Sequence, residues 1–312
     1  MKLIIQIPCF NEEKTLPATM KDLPSEIDGF SSVEYLVIDD GSTDKTFETA
    51  KKLGVHHIIQ LGSNRGLATA FKIGIEYALD QDADIIVNTD GDNQYYGEDV
   101  IKLVKPIFEK KADMVIGCRP IKDHPEFAFY KKILQQIGSW TLRKISKTKV
   151  RDAASGFRAF SRETCQRLNM FSQFSYTMES LIQAGNMGLR LNSVDVRINK
   201  KTRDSRLFKN ILEFIFKSTN TIIMMFFLYR PGRFFTICSF FFLGPALFIG
   251  LRFLYLIYLN PDPSRTYFPS LILLSILAWA GFSLISLGLI GIKIKSLRQI
   301  QHELLYLSRK NK

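Results

Sequence analysis

Two aspartates separated by one glycine follow an apolar run at Ile85–Thr89 and could hold a metal ion. In an extended chain residues i and i+2 point to the same side, so the carboxylates of Asp90 and Asp92 converge. Mg²⁺ or Mn²⁺ prefers such oxygen ligands, and Gln94 could add another. A metal here would also bind a nucleotide-sugar diphosphate and neutralise charge on the departing nucleotide. Solvated acidic turns share this pattern, so a plain surface turn is the alternative.

Two further polar loops follow apolar runs earlier in the chain, PCFNEE at residues 8–13 and DDGSTD at residues 39–44. Ser42 or Asp44 is suited to cap the next helix, and residues 11–13 could begin one, because helix N-termini favour such side chains. A cap explains Ser42 or Asp44 but leaves the carboxylate of Asp40 unexplained. The loops are therefore candidates for ligand binding, with simple helix starts as the alternative.

Alternating strands and helices would bring these loops together. The clearest helical pattern covers Gly66–Leu79, where apolar residues recur at steps of three and four. Strand and helix alternation predicts an α/β domain with a parallel sheet, which binds ligands beyond the carboxyl ends of its strands. The predicted strands are short runs rich in Ile and Val: Leu3–Pro8, Glu34–Ile38, Ile85–Thr89 and Met114–Gly117.

The net charge of the chain and the positions of its basic residues indicate what kind of partner it binds. The 312 residues include 42 basic and 30 acidic side chains, a net charge of +12, and many basic residues flank the apolar C-terminal part. This placement favours anionic lipid head groups over nucleic acid as a partner.

The four cysteines form no CxxC pair, which argues against a disulfide framework or zinc site. Leu3–Ile7 is too short for a secretory signal, so we expect the first domain to be cytoplasmic.

Two long apolar segments predict a transmembrane hairpin. Residues 234–259 contain only Arg252 as a charged residue, and residues 267–292 contain none. Each is long enough to span a bilayer, which takes roughly 20 residues. Arg230 and Arg233 precede the first span and Lys293 follows the second, so the positive-inside tendency places both ends of the hairpin in the cytoplasm.

A basic, amphipathic stretch precedes the hairpin. Leu207, Ile211 and Ile215 share one helical face opposite Lys209 and other polar residues, which predicts a helix lying in the membrane interface. An ordinary amphipathic helix packed on the soluble domain is the alternative. The predicted organisation is a catalytic domain over residues 1–205, interfacial helices over 206–231, a hairpin over 232–298 and a cytoplasmic tail over 299–312.

Five sequence blocks together resemble the family 2 inverting glycosyltransferases, within them the dolichol-phosphate mannose synthase and polyprenyl-phosphate glucosyltransferase group. They occur in the family's order and cover most of the first 165 residues. The blocks are IPCFNEEKTL from Ile7, VIDDGSTDKT from Val37, NRGLATAFKIGI from Asn64, NTDGDNQYYGEDV from Asn88 and DAASGFRAFSRE from Asp152.

The resemblance implies a GT-A fold, a Rossmann-like α/β domain that binds a nucleotide sugar. The implied donor-binding residues are Pro8, Phe10, Glu12, Ile38, Asp40, Asp90, Gly91, Asp92 and Gln94, of which Asp90, Asp92 and Gln94 would hold Mg²⁺ or Mn²⁺. Implied contacts to the acceptor or its phosphate are Arg119, Lys131, Lys132, Ser155, Arg158, Arg203 and Arg206. Asp92, Arg119 and Arg206 would be the catalytic residues.

Two departures from family patterns are informative. Gly91 stands where many members have alanine between the aspartates or a second carboxylate next to the middle position, a change that we expect to be tolerated. The chain has no Gln-x-x-Arg-Trp sequence, the hallmark of processive polysaccharide synthases, and a single hairpin offers no obvious translocation channel. Glu179 either contacts the sugar or the interface, or is a solvent-facing helix residue.

The sequence thus predicts metal-dependent, inverting transfer of a hexose from GDP-mannose or UDP-glucose to polyprenyl or dolichyl phosphate at the cytoplasmic membrane face. A lipid phosphate is already anionic near pH 7, so it can attack without a strong protein base if it is held in line. Alternatives are another membrane lipid or a glycan as acceptor, or a catalytically silent membrane scaffold. A homo-oligomer is compatible with the sequence.

Overall fold

The computed structural model describes residues 1–120, 148, 150–170, 176–199, 219–220, 223–224, 226–259 and 266–310. Two compact units divide the chain. The first comprises Met1–Thr221 together with His302–Lys312, and the second comprises Ile222–Gln301.

The first unit is built on a seven-stranded sheet with the order β3-β2-β1-β4-β6-β5-β7. Strand β6 runs antiparallel to its neighbours β4 and β5, and the other pairs are parallel. The strands are β1 Lys2–Cys9, β2 Ser32–Asp39, β3 His57–Gln60, β4 Ile85–Asn88, β5 Met114–Cys118, β6 Arg158–Ser161 and β7 Leu191–Asp195. The four strands predicted from apolar runs are confirmed, and β3, β6 and β7 are additional.

Helices lie between the strands in the order expected of an α/β domain. They are α1 Leu16–Asp22, α2 Thr46–Lys52, α3 Leu67–Asp80, a 3₁₀ turn at Gly97–Asp99, α4 Val100–Phe108, α5 Arg162–Arg167 and α6 Tyr176–Asn186. The helix predicted over Gly66–Leu79 is confirmed as α3, with Gly66 at its N-terminal boundary in a positive-φ conformation that suits glycine.

Both faces of the sheet are covered, which explains why its central strands are almost continuously apolar. Alternate residues of β1, such as Ile5, belong to a core cluster with Leu16 of α1 and Leu103 of α4. On the other face, Gln6 of β1 approaches Gly74 of α3 so closely that a Cβ there would lie 2.3 Å from its Oε1. This close approach brings α3 directly onto β1 and β2.

The second unit contains two long helices, α7 Pro231–Tyr258 and α8 Phe268–Lys310. Both are long and apolar enough to cross a membrane, and only 11% of their most apolar windows is buried. Small residues allow the helices to approach, since a Cβ at Gly281 would lie 2.5 Å from Leu243 and one at Gly291 2.6 Å from Pro231. The hairpin turn, residues 260–265, lies outside the described residues.

The end of α8 covers most of the segment expected as a cytoplasmic tail, residues 299–312, whose side of the membrane stays a prediction. Helix α8 continues to Lys310, and its last residues belong to the first unit. Arg309 donates to the carbonyl oxygens of Gln166 and Leu168 at 3.2 and 2.7 Å and pairs with Glu76 at 3.1 Å. Tyr306 is buried, with Arg167 over its ring. The C-terminal residues are therefore part of the first unit's packing.

Candidate active site

The polar loops noted in the sequence lie at one edge of the sheet, beyond the carboxyl ends of β1, β2, β4 and β5. Strand β6 begins at the same edge because it runs antiparallel, so Arg158 lies beside Asn88 in the strand register. Residues 11–13, 40–44, 89–94, 119 and 152–158 therefore meet around one rim. This is where ligands bind in open α/β sheets.

The loop that carries Asp90, Gly91 and Asp92, named the metal loop, is held in one conformation by hydrogen bonds. Oδ1 of Asp92 accepts the backbone N–H of Gln94 at 3.1 Å, and Asn93 between them has φ of 56°, in the left-handed region. Thr19 of α1 donates from its hydroxyl to the carbonyl oxygen of Gly91 at 3.2 Å. These contacts preorganise the two carboxylates that were predicted to hold a metal.

The donor set fits a hard divalent cation that is shared with a ligand. In the part of the chain that the structure describes, no three His, Cys, Asp or Glu side chains converge in metal-binding geometry. The protein would supply the carboxylates of Asp90 and Asp92, with Gln94 as a further oxygen donor. Mg²⁺ and Mn²⁺ sites of this kind are completed by water and by substrate phosphates.

Gly91 packs directly against the side chain of Cys9. A Cβ on Gly91 would lie 2.8 Å from Sγ of Cys9 and 3.4 Å from Cγ of Glu12. The expected tolerance for glycine here therefore has a structural reason, since the thiol of Cys9 fills the space that a methyl group would need. Burial, followed by the charge of Glu12, raises the pKa of Cys9 well above its usual value, so the thiol stays neutral.

Asp90 lies against Gly156, a contact that the sequence did not predict. A Cβ on Gly156 would lie 3.0 and 3.1 Å from the two carboxylate oxygens of Asp90, and 2.7 Å from the hydroxyl of Tyr176. The N–H of Gly156 donates to the hydroxyl of Tyr95 at 3.1 Å, and its carbonyl oxygen accepts from Asn88 at 2.9 Å. Gly156 is thus fixed from both sides, with its bare Cα facing a predicted metal ligand.

A buried hydrogen-bond chain lies below the metal loop. Gln6 donates to Oδ1 of Asn88 at 2.9 Å, and Nδ2 of Asn88 lies 3.0 Å from the hydroxyl of Tyr176. Tyr176 stacks on Phe71 with ring centroids 4.2 Å apart. Burial, followed by the charge of Asp90, raises the pKa of Tyr176 well above its usual value. The phenol therefore stays neutral and acts here as a hydrogen-bond partner.

Arg119 forms a two-pronged ion pair with Asp152. Its Nε and Nη2 donate to the two carboxylate oxygens at 2.8 and 3.1 Å. Burial acts to lower the pKa of Arg119, but Tyr95, Asp152 and also Asp90 raise it overall. Arg119 is therefore a fixed cation beside the metal loop, oriented by an aspartate that sequence reasoning did not single out.

Arg158 occupies a different position from the one expected for a phosphate-binding residue. It is fully buried, and its guanidinium donates to the carbonyl oxygens of Ser155, Thr177 and Ala153 at 2.7, 2.6 and 2.7 Å. Burial lowers its pKa to about 10. Arg158 thus organises the loop before β6 from below, and Ser155, also fully buried, is one of the residues it holds. Both residues therefore lie beneath the rim, and their predicted contact with the acceptor phosphate stays a prediction.

The predicted donor-binding residues divide into exposed and buried groups. Phe10 is 36% exposed on the rim, whereas Glu12 is buried beside Gly91. Ile38 is fully buried, with its Cδ1 2.8 Å from where a Cβ of Gly74 would lie, and Pro8 is also buried. Ile38 therefore lies in the core beneath the rim, and its predicted place in the donor pocket stays a prediction.

Asp40 holds a neighbouring loop. Its two carboxylate oxygens accept the backbone N–H groups of Arg65 and Gly66 at 2.8 and 2.9 Å. Burial raises its pKa although these two N–H groups act to lower it. The adjacent Asp39 is fully buried and accepts the N–H of Ser42 at 2.9 Å through Oδ1, while its Oδ2 has no partner among the described residues. Both aspartates shape the rim through the backbone.

The first two polar loops bind each other. The N–H of Asn11 donates to the hydroxyl of Ser42 at 2.9 Å, and the N–H of Glu12 donates to that of Thr46 at 2.8 Å. The side-chain oxygen of Asn11 accepts the N–H of Thr43 at 2.8 Å. The alternative of simple helix starts is therefore insufficient, because these side chains join two loops at the rim.

The remaining predicted residues are either outside the described part of the chain or buried in a helix. Lys131, Lys132, Arg203 and Arg206 lie outside the described residues, as does the predicted interfacial helix over residues 207–217. Glu179 is fully buried in α6 and accepts from Gln183 at 3.2 Å, which rules out the solvent-facing alternative.

Two relatives of similar sequence carry names of dolichyl-phosphate sugar transferases. The chain is 30% identical over 193 residues to a dolichol-phosphate mannosyltransferase from Pyrococcus furiosus, covering 59% of this chain and 53% of that protein. It is 27% identical to a UDP-N-acetylglucosamine–dolichyl-phosphate N-acetylglucosaminyltransferase from Methanococcus voltae, covering 61% of this chain and 83% of that protein.

Structural similarity agrees with the fold. The chain resembles a glucosyl-3-phosphoglycerate synthase from Mycobacterium tuberculosis, solved with Mn²⁺ and uridine diphosphate, with a TM-score of 0.54 at 18% identity. The likeness covers 72% of this chain and 78% of that one, and shows a GT-A-like fold. Residues 4–168 match the family described as glycosyl transferase family 2. With its GT-A-like sheet and two candidate membrane spans, the chain belongs to glycosyl transferase family 2.

Proposed function

We propose that this protein transfers a hexose from a nucleotide-diphosphate sugar to polyprenyl or dolichyl phosphate, with inversion and with the help of Mg²⁺ or Mn²⁺. The observation that carries the proposal is the arrangement of Asp90, Asp92 and Arg119 at one edge of a family 2 domain that is followed by two candidate membrane spans. The dolichyl-phosphate acceptors in the names of its relatives support the same class of acceptor.

Donor binding would use the metal loop. Asp90 and Asp92 would hold the cation, and Gln94 would add an oxygen ligand. The bound cation would supply charge stabilisation for the departing nucleoside diphosphate. The packing of Gly156 against Asp90 and the hydrogen bond from Gln94 to Asp92 fix these ligands before the donor arrives. Preorganisation of this kind reduces the reorganisation needed during reaction.

Acceptor binding would use fixed cations. Asp152 holds the guanidinium of Arg119 in one orientation near Asp90, and a guanidinium matches the geometry of a phosphate group. Arg203 and Arg206 follow Asn199, whose N–H donates to the carbonyl oxygen of Gln94 at 2.9 Å. The two arginines come four and seven residues after Asn199 in the sequence and are candidates for binding the acceptor phosphate.

The reaction needs no protein nucleophile in this scheme. An anionic phosphate oxygen of the acceptor attacks the anomeric carbon, and the bond to the nucleoside diphosphate breaks on the opposite face. Alignment by the arginines would supply the main advantage, because holding two reactants in line removes much of the entropic barrier. Inversion at the anomeric carbon follows from the single displacement.

The membrane part would present the domain to its lipid substrate. Helices α7 and α8 are candidate spans, and basic residues lie at both ends of the hairpin: Arg230, Arg233, Lys293, Lys295 and Arg298. The positive-inside tendency then places the catalytic domain and both termini in the cytoplasm.

The test is transfer of radiolabelled sugar from GDP-mannose, UDP-glucose and UDP-N-acetylglucosamine to polyprenyl phosphate by the full chain in vesicles. We expect a lipid product that requires Mg²⁺ or Mn²⁺ and that falls at least about 100-fold in Asp92→Ala, the size of effect expected for loss of key charge stabilisation. Asp80→Ala, an exposed aspartate at the end of α3, serves as the matched control. No product with any donor, or equal activity in Asp92→Ala, contradicts the proposal.

A further inference from the structure

The chain segment after β7, residues 197–199, is hydrogen-bonded to residues 94–96, which follow Asp90 and Asp92 in the chain. Tyr95 and Ile198 form an antiparallel bridge, and the N–H of Tyr96 donates to the carbonyl oxygen of Arg197 at 3.2 Å. The N–H of Asn199 donates to the carbonyl oxygen of Gln94 at 2.9 Å. Residues 197–199 therefore run alongside residues 94–96 as a short extra ladder.

The side chain of Asn199 is surrounded by acceptor oxygens. Its Nδ2 lies 3.2 Å from each of four oxygens: Oδ2 of Asp22, the carbonyl and side-chain oxygens of Asn93, and the carbonyl oxygen of Tyr95. An amide group has two hydrogens, so these bonds are shared among the four acceptors. One side chain thus joins the end of α1 to both sides of the Asn93–Gln94 turn.

Arg197 anchors the same segment independently of Asn199. Its N–H donates to Oδ2 of the buried Asp99 at 2.6 Å, and its guanidinium pairs with Oδ1 at 2.7 Å. The guanidinium also lies over the ring of Tyr96, 3.7 Å from its centroid. The ladder is therefore fixed at Arg197 even without the Asn199 amide, so loss of that amide should act locally on the turn.

We propose that Asn199 is a positioning residue that fixes the Asn93–Gln94 turn, and with it Asp92 and Gln94. The inference rests on the proposed function and extends it. Asn93 adopts φ of 56° and its own carbonyl and side-chain oxygens both face the Asn199 amide. Without that amide the turn loses the hydrogen bonds that join Asn93 and Tyr95 to Asn199.

The proposal predicts the effect of one substitution on metal binding. Asn199→Ala should weaken metal-dependent nucleotide binding, because the turn that carries Asp92 and Gln94 is released. Substitutions that remove the supports of metal ligands typically cost 10- to 100-fold in metal affinity. Asn199→Asp should be worse, since it places a carboxylate among four acceptor oxygens.

Titration calorimetry of the full chain with Mn²⁺ at a fixed concentration of GDP or UDP tests the predicted loss of metal binding. We expect the half-saturating Mn²⁺ concentration to rise about tenfold or more in Asn199→Ala. Asn192→Ala is the matched control, an exposed asparagine on β7 whose side chain accepts only the neighbouring N–H of Ser193 among the described residues. If Asn199→Ala does not fold, judged by its melting temperature, Asn199→Ser is used because it keeps one donor.

Equal Mn²⁺ titrations for Asn199→Ala and Asn192→Ala would overturn the inference, as would a change in kcat alone with unchanged Mn²⁺ dependence. The two proposals can fail separately. A wild-type protein that binds Mn²⁺ with a nucleotide but glycosylates no polyprenyl phosphate contradicts the proposed function, while the calorimetric comparison still decides the role of Asn199 in the metal loop.

Discussion

Glycine 156 shows how a residue without a side chain can control a charged one. Its Cα lies against the carboxylate of Asp90, and its N–H and carbonyl oxygen are both bound, to Tyr95 and Asn88. Because the backbone is held on both sides, an added methyl group cannot be relieved by moving residue 156. The carboxylate of Asp90 or the hydroxyl of Tyr176 must shift instead.

We therefore predict that Gly156→Ala weakens metal-dependent nucleotide binding by displacing Asp90. The half-saturating Mn²⁺ concentration should rise about tenfold or more, the effect typical of substitutions at residues that hold metal ligands in place. Calorimetry with Mn²⁺ and a nucleoside diphosphate measures this directly. Gly62→Ala is a suitable control, since no atom lies within 4 Å of where its Cβ would be. Identical titrations for the two variants would show that Gly156 does not position Asp90.

At the residue scale, sequence and structure agree where a pattern is local. Asp90 and Asp92 could be found because their spacing and the preceding apolar run belong to a few consecutive residues. Asp152 and Tyr176 could not, because they act on Arg119 and Asn88 across 33 and 88 residues of chain. Nothing in the neighbouring sequence marks such contacts. Arg158 shows the converse, since a basic residue in a motif block turned out to bind carbonyl oxygens in the interior.

At the element scale, the predicted parallel sheet was correct for its central part and incomplete elsewhere. The runs at β1, β2, β4 and β5 are apolar because helices cover both faces of the sheet. Strand β6 escaped prediction because Arg158–Ser161 is four residues long and begins with a buried arginine. Its antiparallel course brings residues 152–158 to the active edge, so the missed strand matters for the site.

An ion pair between Asp113, just before β5, and Arg190, just before β7, gives a pH-dependent prediction. Asp113 accepts from the N–H, Nε and Nη2 of Arg190 at 2.8, 3.1 and 2.6 Å. The hydrogen bonds from Arg190 lower the pKa of Asp113 despite its partial burial. Because the folded-state pKa is depressed, the stabilisation is complete above the unfolded-state pKa, about 3.9, and is lost as pH falls through the folded-state value.

Asp113→Asn should therefore lower the free energy of unfolding by about 1 kcal/mol at pH 7, a modest value because Arg190 is largely exposed. The difference from the wild type should stay constant between pH 7 and about pH 5 and shrink below about pH 4. Thermal unfolding across this range measures it, with the exposed Asp28→Asn as control. A difference that is independent of pH down to the lowest value studied would contradict this account.

At the scale of the whole molecule, the chain consists of a catalytic unit and a helical hairpin, as the change in composition after residue 232 indicated. The fate of the C-terminus was less predictable. Residues 302–310 are helical and pack with the first unit through Arg309 and Tyr306. The sequence predicts a cytoplasmic tail here and gives no sign of this packing, because Gln166 and Leu168, which Arg309 contacts, lie more than 140 residues away in the chain.

The central claim is that a lipid phosphate is the acceptor, and a comparison of acceptors in the same vesicles tests it most directly. The full chain would receive Mn²⁺, its preferred radiolabelled donor, and vesicles that contain polyprenyl phosphate, the corresponding polyprenol or diacylglycerol. The account predicts labelled lipid only with polyprenyl phosphate, because the anionic phosphate is both the nucleophile and the group that the arginines align. Comparable labelling of polyprenol or diacylglycerol would contradict it.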